Sequence, residues 1–338
     1  MSFVVRAARR DDVEQLYEMA KLTGGGFTNL PPDRDALNEK LARSGEAFAK
    51  TEGESANDLF LLALENTETG QVRGTAQIFA AVGKRWPFYS YRINTFTQHS
   101  KELDRTFTSQ ILSLTTDYEG ASEVGGLFLH PNERAGGLGM LLARSRYLFI
   151  AKHRARFGAK VIAELRGVID EAGGSAFWDA LAGKFFGMSF QEADEFNARY
   201  GHQFIADLMP RHPIYLNMLP ESARAVIGKP HPSGRAAMRM LEKEHFKYAG
   251  YIDIFDGGPT MEADIDQVKS VSDSREATVT AISDNGTAHS LAATGMLDAF
   301  RCCYAHIETQ GDGEIGIDEG AAAILKAEIG SPVRHVPR

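Results

Sequence analysis

The sequence predicts a mixed α/β protein with two domains, on the basis of three observations. A short apolar segment, Glu123 to Leu129, is interrupted at His130-Pro131-Asn132 and is followed by apolar residues at helical spacing. Before this strand–helix unit, the chain predicts a strand, two helices and a pair of strands. After it, from about residue 263, short strand-like runs separated by turn residues predominate. We therefore predict an α/β domain over residues 1–262 and a small β-rich domain over residues 263–338.

Length and composition indicate a globular protein that can bury a large core. The chain has 338 residues, of which 43% are hydrophobic, and its formal net charge of -8 argues against nucleic acid as a partner. No apolar run approaches the ~18–20 residues of a membrane-spanning helix, and the N-terminal segment becomes charged too early for a signal peptide. Cys302 and Cys303 are adjacent, which makes them poor disulfide partners and poor metal ligands. We expect a cytoplasmic protein without a membrane partner or a bound metal.

The N-terminal third predicts a strand, two helices and a hairpin. Asp11 has the position of a helix N-cap, with Glu14 at the capping-box position. Thr23-Gly24-Gly25-Gly26 ends this helix, either as a C-cap and turn or as backbone that approaches a ligand closely. The predicted elements are a strand Phe3–Arg6, a helix after Asp11, a second helix from Asp33 to about Ala49, and strands Leu59–Glu65 and Gln71–Val82 about a turn at Asn66–Gly70.

The segment between Gly83 and Gly120 is an insertion with an aromatic cluster. Trp86, Phe88, Tyr89 and Tyr91 precede Arg92, and these rings either pack in the core or hold Arg92 to bind a carboxylate. A helical piece is predicted to start at Ser100–Asp104. The elements predicted further along are a strand Lys160–Leu165, helices after Gly173-Gly174-Ser175 and within Met188–Met209, a helix Arg235–His245, strands Tyr248–Phe255, Ala277–Ile282 and Phe300–Ile307, and a short helix near Ala321–Lys326.

The pattern Arg-x-x-Gly-x-Gly at the start of the central helix predicts an anion site. Arg134, Gly137 and Gly139 lie where unpaired backbone N–H groups and the helix dipole attract phosphate, and glycine lets the phosphates approach the amides. The stretch from Arg134 to Lys160 has five arginines, two lysines and no acidic residue. Alternatively, the glycines permit a close helix–strand contact and the arginines solvate the outer face. The spacing is neither Walker A nor the dinucleotide fingerprint.

This pattern resembles the acyl-CoA pyrophosphate loop of the GNAT acyltransferase superfamily. Longer segments are similar to the arginine N-succinyltransferase family, closely over residues 1 to about 262 and loosely beyond. These segments are Lys21–Gly26, Ser100–Leu103, Ala163–Asp170, His212–Tyr215 and Tyr251–Pro259. The resemblance implies a GNAT-like α/β fold with insertions, and transfer of succinyl from succinyl-CoA, a co-substrate and not a permanently bound cofactor, to the α-amino group of L-arginine. Ornithine as a further acceptor stays open.

Two alternatives to this activity are a CoA-binding, non-catalytic subunit that supports an active paralogue, and an acetyltransferase that acts on another amine. The family resemblance also implies an oligomer, either of identical chains or with a paralogous subunit.

The resemblance further assigns roles to particular residues. A backbone N–H of Leu127 or Phe128 is expected to bind the developing oxyanion, with Gly125-Gly126 permitting an irregular strand, although these glycines also fit an ordinary β-bulge. The residues expected to bind the acyl-CoA phosphates are Arg134, Gly136, Gly137, Leu138 and Gly139.

Proton transfer near neutral pH suits a histidine. His231, between two prolines, matches the family's proton donor, and His212 is the rival. Carboxylates of the substrates call for arginine, and a guanidinium calls for carboxylates. The candidate arginines are Arg92, Arg166 and Arg235, and the candidate acids are Glu123, Glu164, Asp170, Asp253 and Asp256. From these we select Arg92, Glu164 and Arg166 as the expected substrate-binding residues.

Overall fold

The computed structural model describes residues 2–23, 29–51, 58–200, 203–209 and 211–338. It divides into two compact units, which we describe separately. The first unit comprises Met1–Ala81, Ser122–Val161 and Asp264–Arg338, and the second comprises Val82–Ala121 and Ile162–Ala263. Gly24 to Gly26, where the sequence left a C-cap and a ligand contact open, lie outside the described residues.

The helices and strands of the described residues are as follows. The helices are α1 (Val13–Lys21), α2 (Arg34–Ala49), α3 (Leu138–Lys152), α4 (Ala176–Ala180), α5 (Gly183–Phe186), α6 (Phe190–Tyr200), α7 (Gln203–Leu208), α8 (Glu221–Arg224), α9 (Arg235–Lys243), α10 (Lys269–Ser272) and α11 (Glu319–Leu325). The strands are β1 (Phe3–Ala7), β2 (Leu59–Asn66), β3 (Val72–Phe79), β4 (Ser90–Ser100), β5 (Arg105–Thr115), β6 (Ser122–Leu129), β7 (Lys160–Glu164), β8 (Ile214–Tyr215), β9 (Lys247–Asp253), β10 (Pro259–Asp264), β11 (Arg275–Ile282), β12 (Ala288–Thr294), β13 (Arg301–Gly311), β14 (Glu314–Ile317) and β15 (Pro332–Pro337).

In the first unit, β1, β2, β3 and β6 pair antiparallel in that order. The predicted strand, two helices and hairpin are confirmed, and the hairpin turn is closed by the Asn66 carboxamide, which accepts the Glu68 N–H at 2.9 Å. The predicted helix cap at Asp11 is wrong. Asp12 precedes α1 and accepts the Arg9 N–H at 2.7 Å, while the Glu14 carboxylate bonds Arg34 at 2.9 Å instead of closing a capping box.

The C-terminal strands of the first unit close into a five-stranded barrel. β13 pairs with β12 and β14, β14 with β11, β11 with β15, and β15 with β12, so no barrel strand is left with an unpaired edge. Ala321, Ala322 and Leu325 of α11 are buried in the core of this barrel. The strand-rich character predicted from the sequence is confirmed. β12, β14 and β15 were missed, since β12 has the sequence AHSLAAT, which is poor in β-forming residues.

In the second unit, β4 and β5 form a long hairpin, with β4 paired to β9 and β5 to β8. The helical piece predicted at Ser100–Asp104 is wrong, because these residues form the hairpin turn, in which Asp104 has a φ of 43°. Helices α4 and α6 supply Trp178 and Phe190 to a core shared with Tyr91 and Ile252 of the sheet. Ser175 caps α4 by accepting the Trp178 N–H at 3.2 Å.

The described residues contain neither a membrane-spanning helix nor a cluster of metal ligands. None of their helices is both long and apolar enough to pass through a bilayer. Nor do their His, Cys, Asp and Glu side chains form a group of three or more that could hold a metal ion.

Candidate active site

The chain reversal after β6 is fixed by side chains of the first unit. His130 Nδ1 accepts the Asn132 N–H at 3.2 Å and lies 3.1 Å from an Arg73 guanidinium nitrogen. Arg73 also donates to the Glu133 carboxylate at 3.0 Å. This network explains the break predicted at His130-Pro131-Asn132, and it holds the loop that follows in one position.

The loop from Arg134 to Gly139 presents unpaired N–H groups at the start of α3. Gly136 and Gly137 adopt φ values of 66° and 83°, in the left-handed region that favours glycine, and Gly137 is the N-cap of α3. The N–H groups of Ala135, Gly136, Gly137 and Gly139 donate to no acceptor among the described residues. Four free donors at a helix N-terminus are an arrangement to which a phosphate or pyrophosphate anion can bind.

Two residues of the barrel hold this loop and were missed by sequence reasoning. The Tyr304 hydroxyl donates to the Gly137 carbonyl oxygen at 2.8 Å, and the Arg338 guanidinium donates to the Gly136 carbonyl oxygen at 3.1 Å. Arg338 also lies 4.3 Å above the Tyr304 ring. A cavity of about 240 Å³ adjoins the loop and is lined by Ser2, Phe3, Gly136, Leu138, Leu141 and Tyr304. No local sequence pattern marks Tyr304 or Arg338, because their contacts are long-range.

The alternative in which the arginines of this stretch solvate the outer face of the helix is wrong for Arg144 and Arg146. Residues 141–150 are all buried, and Arg144 and Arg146 are 6% and 4% exposed. Arg144 Nε donates to Ser270 Oγ at 2.7 Å, and Arg146 Nε donates to the Ala143 carbonyl oxygen at 3.0 Å. Two further arginines form ion pairs, Arg154 with Asp266 at 2.6 Å and Arg156 with Asp58 at 2.7 Å. Of the five arginines in this stretch, Arg134 is the one in the loop itself.

β6 is irregular at the glycines that the sequence singled out. Thr75 of β3 pairs with Phe128 and Gln77 pairs with Gly125, so Gly126 and Leu127 both lie opposite one residue of β3. Gly126 has a φ of 57°, and a Cβ at this position would lie 2.6 Å from the Gln77 carboxamide. The bulge predicted here is therefore present, and it includes the expected oxyanion-binding residue Leu127.

The second unit brings together two of the predicted residues, His231 and Arg166. Gly167 and Pro230 form an isolated β-bridge, and the His231 N–H donates to the Arg166 carbonyl oxygen at 2.7 Å. His231 Nδ1 lies 2.7 Å from Ser233 Oγ. Partial burial and the positive charge of Arg166 lower the pKa of His231, which favours the neutral imidazole. Arg166 Nε is buried and has no hydrogen-bond partner among the described residues.

The buried side chain of Asp256 links the segment that follows Arg166 to its own turn through hydrogen bonds. Its carboxylate accepts the Gly167 N–H at 2.7 Å and the Gly258 N–H at 2.8 Å. Burial and the charge of Asp253 raise the pKa of Asp256 to about 7. The sequence offered Asp256, Asp253 and Asp170 as possible partners of a substrate guanidinium. Asp170 and Asp253 accept backbone N–H groups of their own turns, whereas Asp256 accepts one N–H from its own turn and one from Gly167.

Among the remaining candidates of the second unit, Arg92 is exposed and Glu164 is partly buried. Arg92 of β4 lies 3.8 Å from the Asp117 carboxylate and 5.5 Å from the Tyr251 ring centre, whereas Trp86 of the predicted aromatic cluster is 61% exposed. Glu164 is the last residue of β7, two positions before Arg166. His212 and Arg235 are exposed.

Two family models match nearly the whole chain. One is described as arginine N-succinyltransferase beta subunit and matches residues 3–270, and the other is the C-terminal domain of that subunit and matches residues 275–337. An arginine N-succinyltransferase from Citrobacter koseri is 45% identical over 272 residues, which cover 80% of this chain and 79% of that protein. Another from Enterobacter sp. strain 638 is 40% identical over 335 residues, which cover 98% and 97%.

A solved structure is also similar over its whole length. The arginine/ornithine succinyltransferase subunit AI from Pseudomonas aeruginosa is 30% identical, with a TM-score of 0.90, and the match covers 99% of this chain and 98% of that one. The predicted α/β fold class with a strand-rich C-terminal part is confirmed, and the fold is that of the Pseudomonas aeruginosa subunit. The chain belongs to the arginine N-succinyltransferase family.

Proposed function

We propose that this chain is an N-succinyltransferase that transfers succinyl from succinyl-CoA to the α-amino group of L-arginine, in arginine catabolism, with ornithine as a further acceptor. In this reaction the amine nitrogen attacks the thioester carbonyl, a C–N bond forms, and the C–S bond breaks to release CoA. The observation that carries the proposal is the loop at Arg134–Gly139, whose four free N–H groups suit the pyrophosphate of an acyl-CoA, in a chain of this family.

In the first unit, the proposed ligands of the CoA phosphates are the amides from Ala135 to Gly139, together with the Arg134 side chain. The bulge at Gly126–Leu127 supports a role for the Leu127 or Phe128 N–H as the oxyanion donor, because a bulge disrupts the local strand pairing. Succinyl-CoA is then a co-substrate that binds and leaves in each cycle, and no permanently bound cofactor is needed.

In the second unit, His231 is the proposed carrier of the catalytic proton. A neutral imidazole can take a proton from the substrate ammonium, which makes the amine nucleophilic, and the imidazolium can then protonate the departing thiolate. The second proton that the nitrogen loses as the amide forms passes to solvent. Arg166 is proposed to bind a substrate carboxylate, since an unpartnered, buried guanidinium nitrogen gains a charge-assisted bond when an anion arrives. Arg92 and Glu164 are proposed to bind further charged groups of the substrates.

Replacing Gly137 with valine tests the phosphate loop. Gly137 has a φ of 83°, and a Cβ there would lie 2.4 Å from an Arg338 nitrogen and 3.2 Å from the Tyr304 hydroxyl. We expect the KM for the CoA donor to rise by roughly tenfold or more, as charge-assisted bonds to phosphate are lost, with a far smaller change for the amino acid. Gly70→Val is the matched control, because Gly70 has a φ of 69° and no atom within 4 Å of its Cβ position. Equal effects on both substrates would contradict the assignment of the loop.

Assaying the purified chain alone with succinyl-CoA and acetyl-CoA tests the reaction itself. If a cation binds the distal succinyl carboxylate, acetyl-CoA leaves that cation unpaired, which costs roughly 1.5–3 kcal/mol or a factor of about 10 to 150 in kcat/KM. We therefore expect a clear preference for succinyl-CoA with L-arginine as acceptor. Comparable kcat/KM values would favour an acetyltransferase, and no turnover without a paralogous chain would favour a non-catalytic, CoA-binding subunit.

We also propose a cytoplasmic enzyme that assembles as an oligomer, either of identical chains or with a paralogous subunit. The family description names a beta subunit, and the similar Pseudomonas aeruginosa protein is named as a subunit, which supports an assembly. Residues 1–262 and 263–338 are proposed as the acyltransferase domain and the C-terminal domain. Light scattering on the purified chain measures its oligomeric state directly.

A further inference from the structure

Lys40 is a half-buried lysine of the first unit to which the proposed reaction assigns no role. It lies on α2, and its ammonium donates to the Asn29 carbonyl oxygen at 2.6 Å and to Gln77 Oε1 at 3.4 Å. The Gln77 carboxamide also donates to the Asn29 carbonyl oxygen, at 2.6 Å. Burial is the main reason that the pKa of Lys40 falls to about 8, with a further decrease from Arg43 and an opposing increase from Glu123. The two hydrogen-bond acceptors of this cation, the Asn29 carbonyl oxygen and Gln77 Oε1, are both neutral.

Gln77 connects Lys40 to the bulge in β6. Gln77 pairs with Gly125 across β3 and β6, and the Cβ position of Gly126 lies 2.6 Å from its carboxamide nitrogen. Lys40 is thus separated from the bulge by a single side chain. The bulge lies three residues before the end of β6, about 10 Å along the strand, and the phosphate loop follows. An acyl-CoA whose phosphates occupy the loop can extend its pantetheine arm along β6 and bring its thioester to the bulge.

The ammonium has bonding capacity left for an anion. It carries three N–H donors, of which two have acceptors, and the third has none among the described residues. Partial burial of a cation whose hydrogen-bond acceptors are both neutral is costly even with the charge of Glu123 acting on it, and a carboxylate bonded to the third N–H would lower that cost. The competing explanation is structural, namely that Lys40 only anchors Asn29 to β3. That explanation uses two of the three N–H groups, leaves the third without an acceptor and does not require a charge.

We propose that Lys40 binds the distal carboxylate of the succinyl group and thereby selects an acyl donor that carries a terminal carboxylate. The assignment rests on the proposed function, because it takes the thioester to lie at the bulge in β6. Gln77 orients the ammonium through their shared acceptor, the Asn29 carbonyl oxygen. Lys40 is then a specificity-determining residue, which acts on the choice of donor and not on proton transfer.

Lys40→Met distinguishes donor selection from a purely structural role of Lys40 when kcat/KM is measured with succinyl-CoA and with acetyl-CoA. We expect kcat/KM for succinyl-CoA to fall by at least about tenfold, as a charge-assisted bond is lost, and the value for acetyl-CoA to change by less than about threefold. Lys21→Met is the matched control, because Lys21 is an exposed lysine of the same unit that pairs with Glu18. It should leave both values unchanged.

An equal loss with both donors in Lys40→Met would overturn the proposal and leave Lys40 as an anchor for Asn29. If Lys40→Met does not fold, as judged by circular dichroism, Lys40→Gln serves instead, since its amide can still donate to Asn29 while the charge is gone. The ratio of kcat/KM for succinyl-CoA to kcat/KM for acetyl-CoA is then the measurement that tests the role of Lys40. A wild-type chain without a preference for succinyl-CoA would contradict the proposed function, whereas a wild-type preference that survives both substitutions would contradict only the role of Lys40.

Discussion

Replacing His231 with alanine is expected to lower kcat by about a hundredfold or more, while the KM for the CoA donor stays nearly unchanged. The backbone of His231 is held by its N–H, which donates to the Arg166 carbonyl oxygen. The imidazole ring is held by the contact of Nδ1 with Ser233 Oγ. Pro230 and Pro232 restrict the backbone on both sides, so little entropy is lost when the ring is positioned. No part of the phosphate loop depends on this side chain, which is why donor binding should persist.

The pH profile provides a second, independent readout of the same substitution. Burial and the charge of Arg166 lower the pKa of His231 below its ordinary value of about 6.5. The neutral ring is the form that accepts a proton, so kcat/KM should fall as the pH drops through this lowered pKa, and that acidic limb should be absent in His231→Ala. His212→Ala is the matched control, because His212 is an exposed histidine of the loop that precedes β8, and it should retain the acidic limb. If His231→Ala keeps most of the activity and the same profile, the assignment is wrong and His212 becomes the candidate.

The features predicted correctly from the sequence are those whose causes are local. The loop with free N–H groups before α3 follows from a proline break, glycines that tolerate left-handed backbone, and the start of a helix, all within residues 130–139. Its binding of phosphate stays a prediction. The bulge at Gly126 is likewise marked by its two glycines, and the bridge between Gly167 and Pro230 brings Arg166 to His231. Residue chemistry and a family resemblance were sufficient to name the members of this pair, but not their contact.

The features that were missed depend on contacts between distant parts of the chain. Tyr304 and Arg338 reach the loop only because the barrel closes, and Ser270 accepts from Arg144 across 126 positions of sequence. A basic stretch looks like a ligand surface in sequence. Here Arg144 and Arg146 are buried, and Arg154 and Arg156 form ion pairs with Asp266 and Asp58. The turn at Ser100–Asp104 was misassigned because Lys-Glu-Leu favours helix locally, while the strands on either side pair along their whole length.

Replacing Asp256 with alanine is expected to cost about 2–6 kcal/mol of unfolding free energy, since it leaves two buried N–H groups without acceptors at about 1–3 kcal/mol each. These are the N–H groups of Gly167 and Gly258. Urea denaturation measures the loss. Asp266→Ala is the matched control, because Asp266 forms an exposed ion pair with Arg154, and removing such a pair costs at most about 1 kcal/mol.

The pH dependence of stability tests whether Asp256 acts through its charge as well. Its pKa is raised to about 7 by burial and by Asp253, compared with about 3.9 in an unfolded chain. Between these two values the folded state holds a proton that the unfolded state has released, so the unfolding free energy of the wild type should decrease as the pH rises through this window. Asp256→Ala should lose this slope, whereas Asp266→Ala should retain it.

A loss of stability no larger than that of Asp266→Ala would mean that the Arg166–His231 segment is held by its backbone bridge alone. A wild-type stability that rises over the same window would contradict the raised pKa.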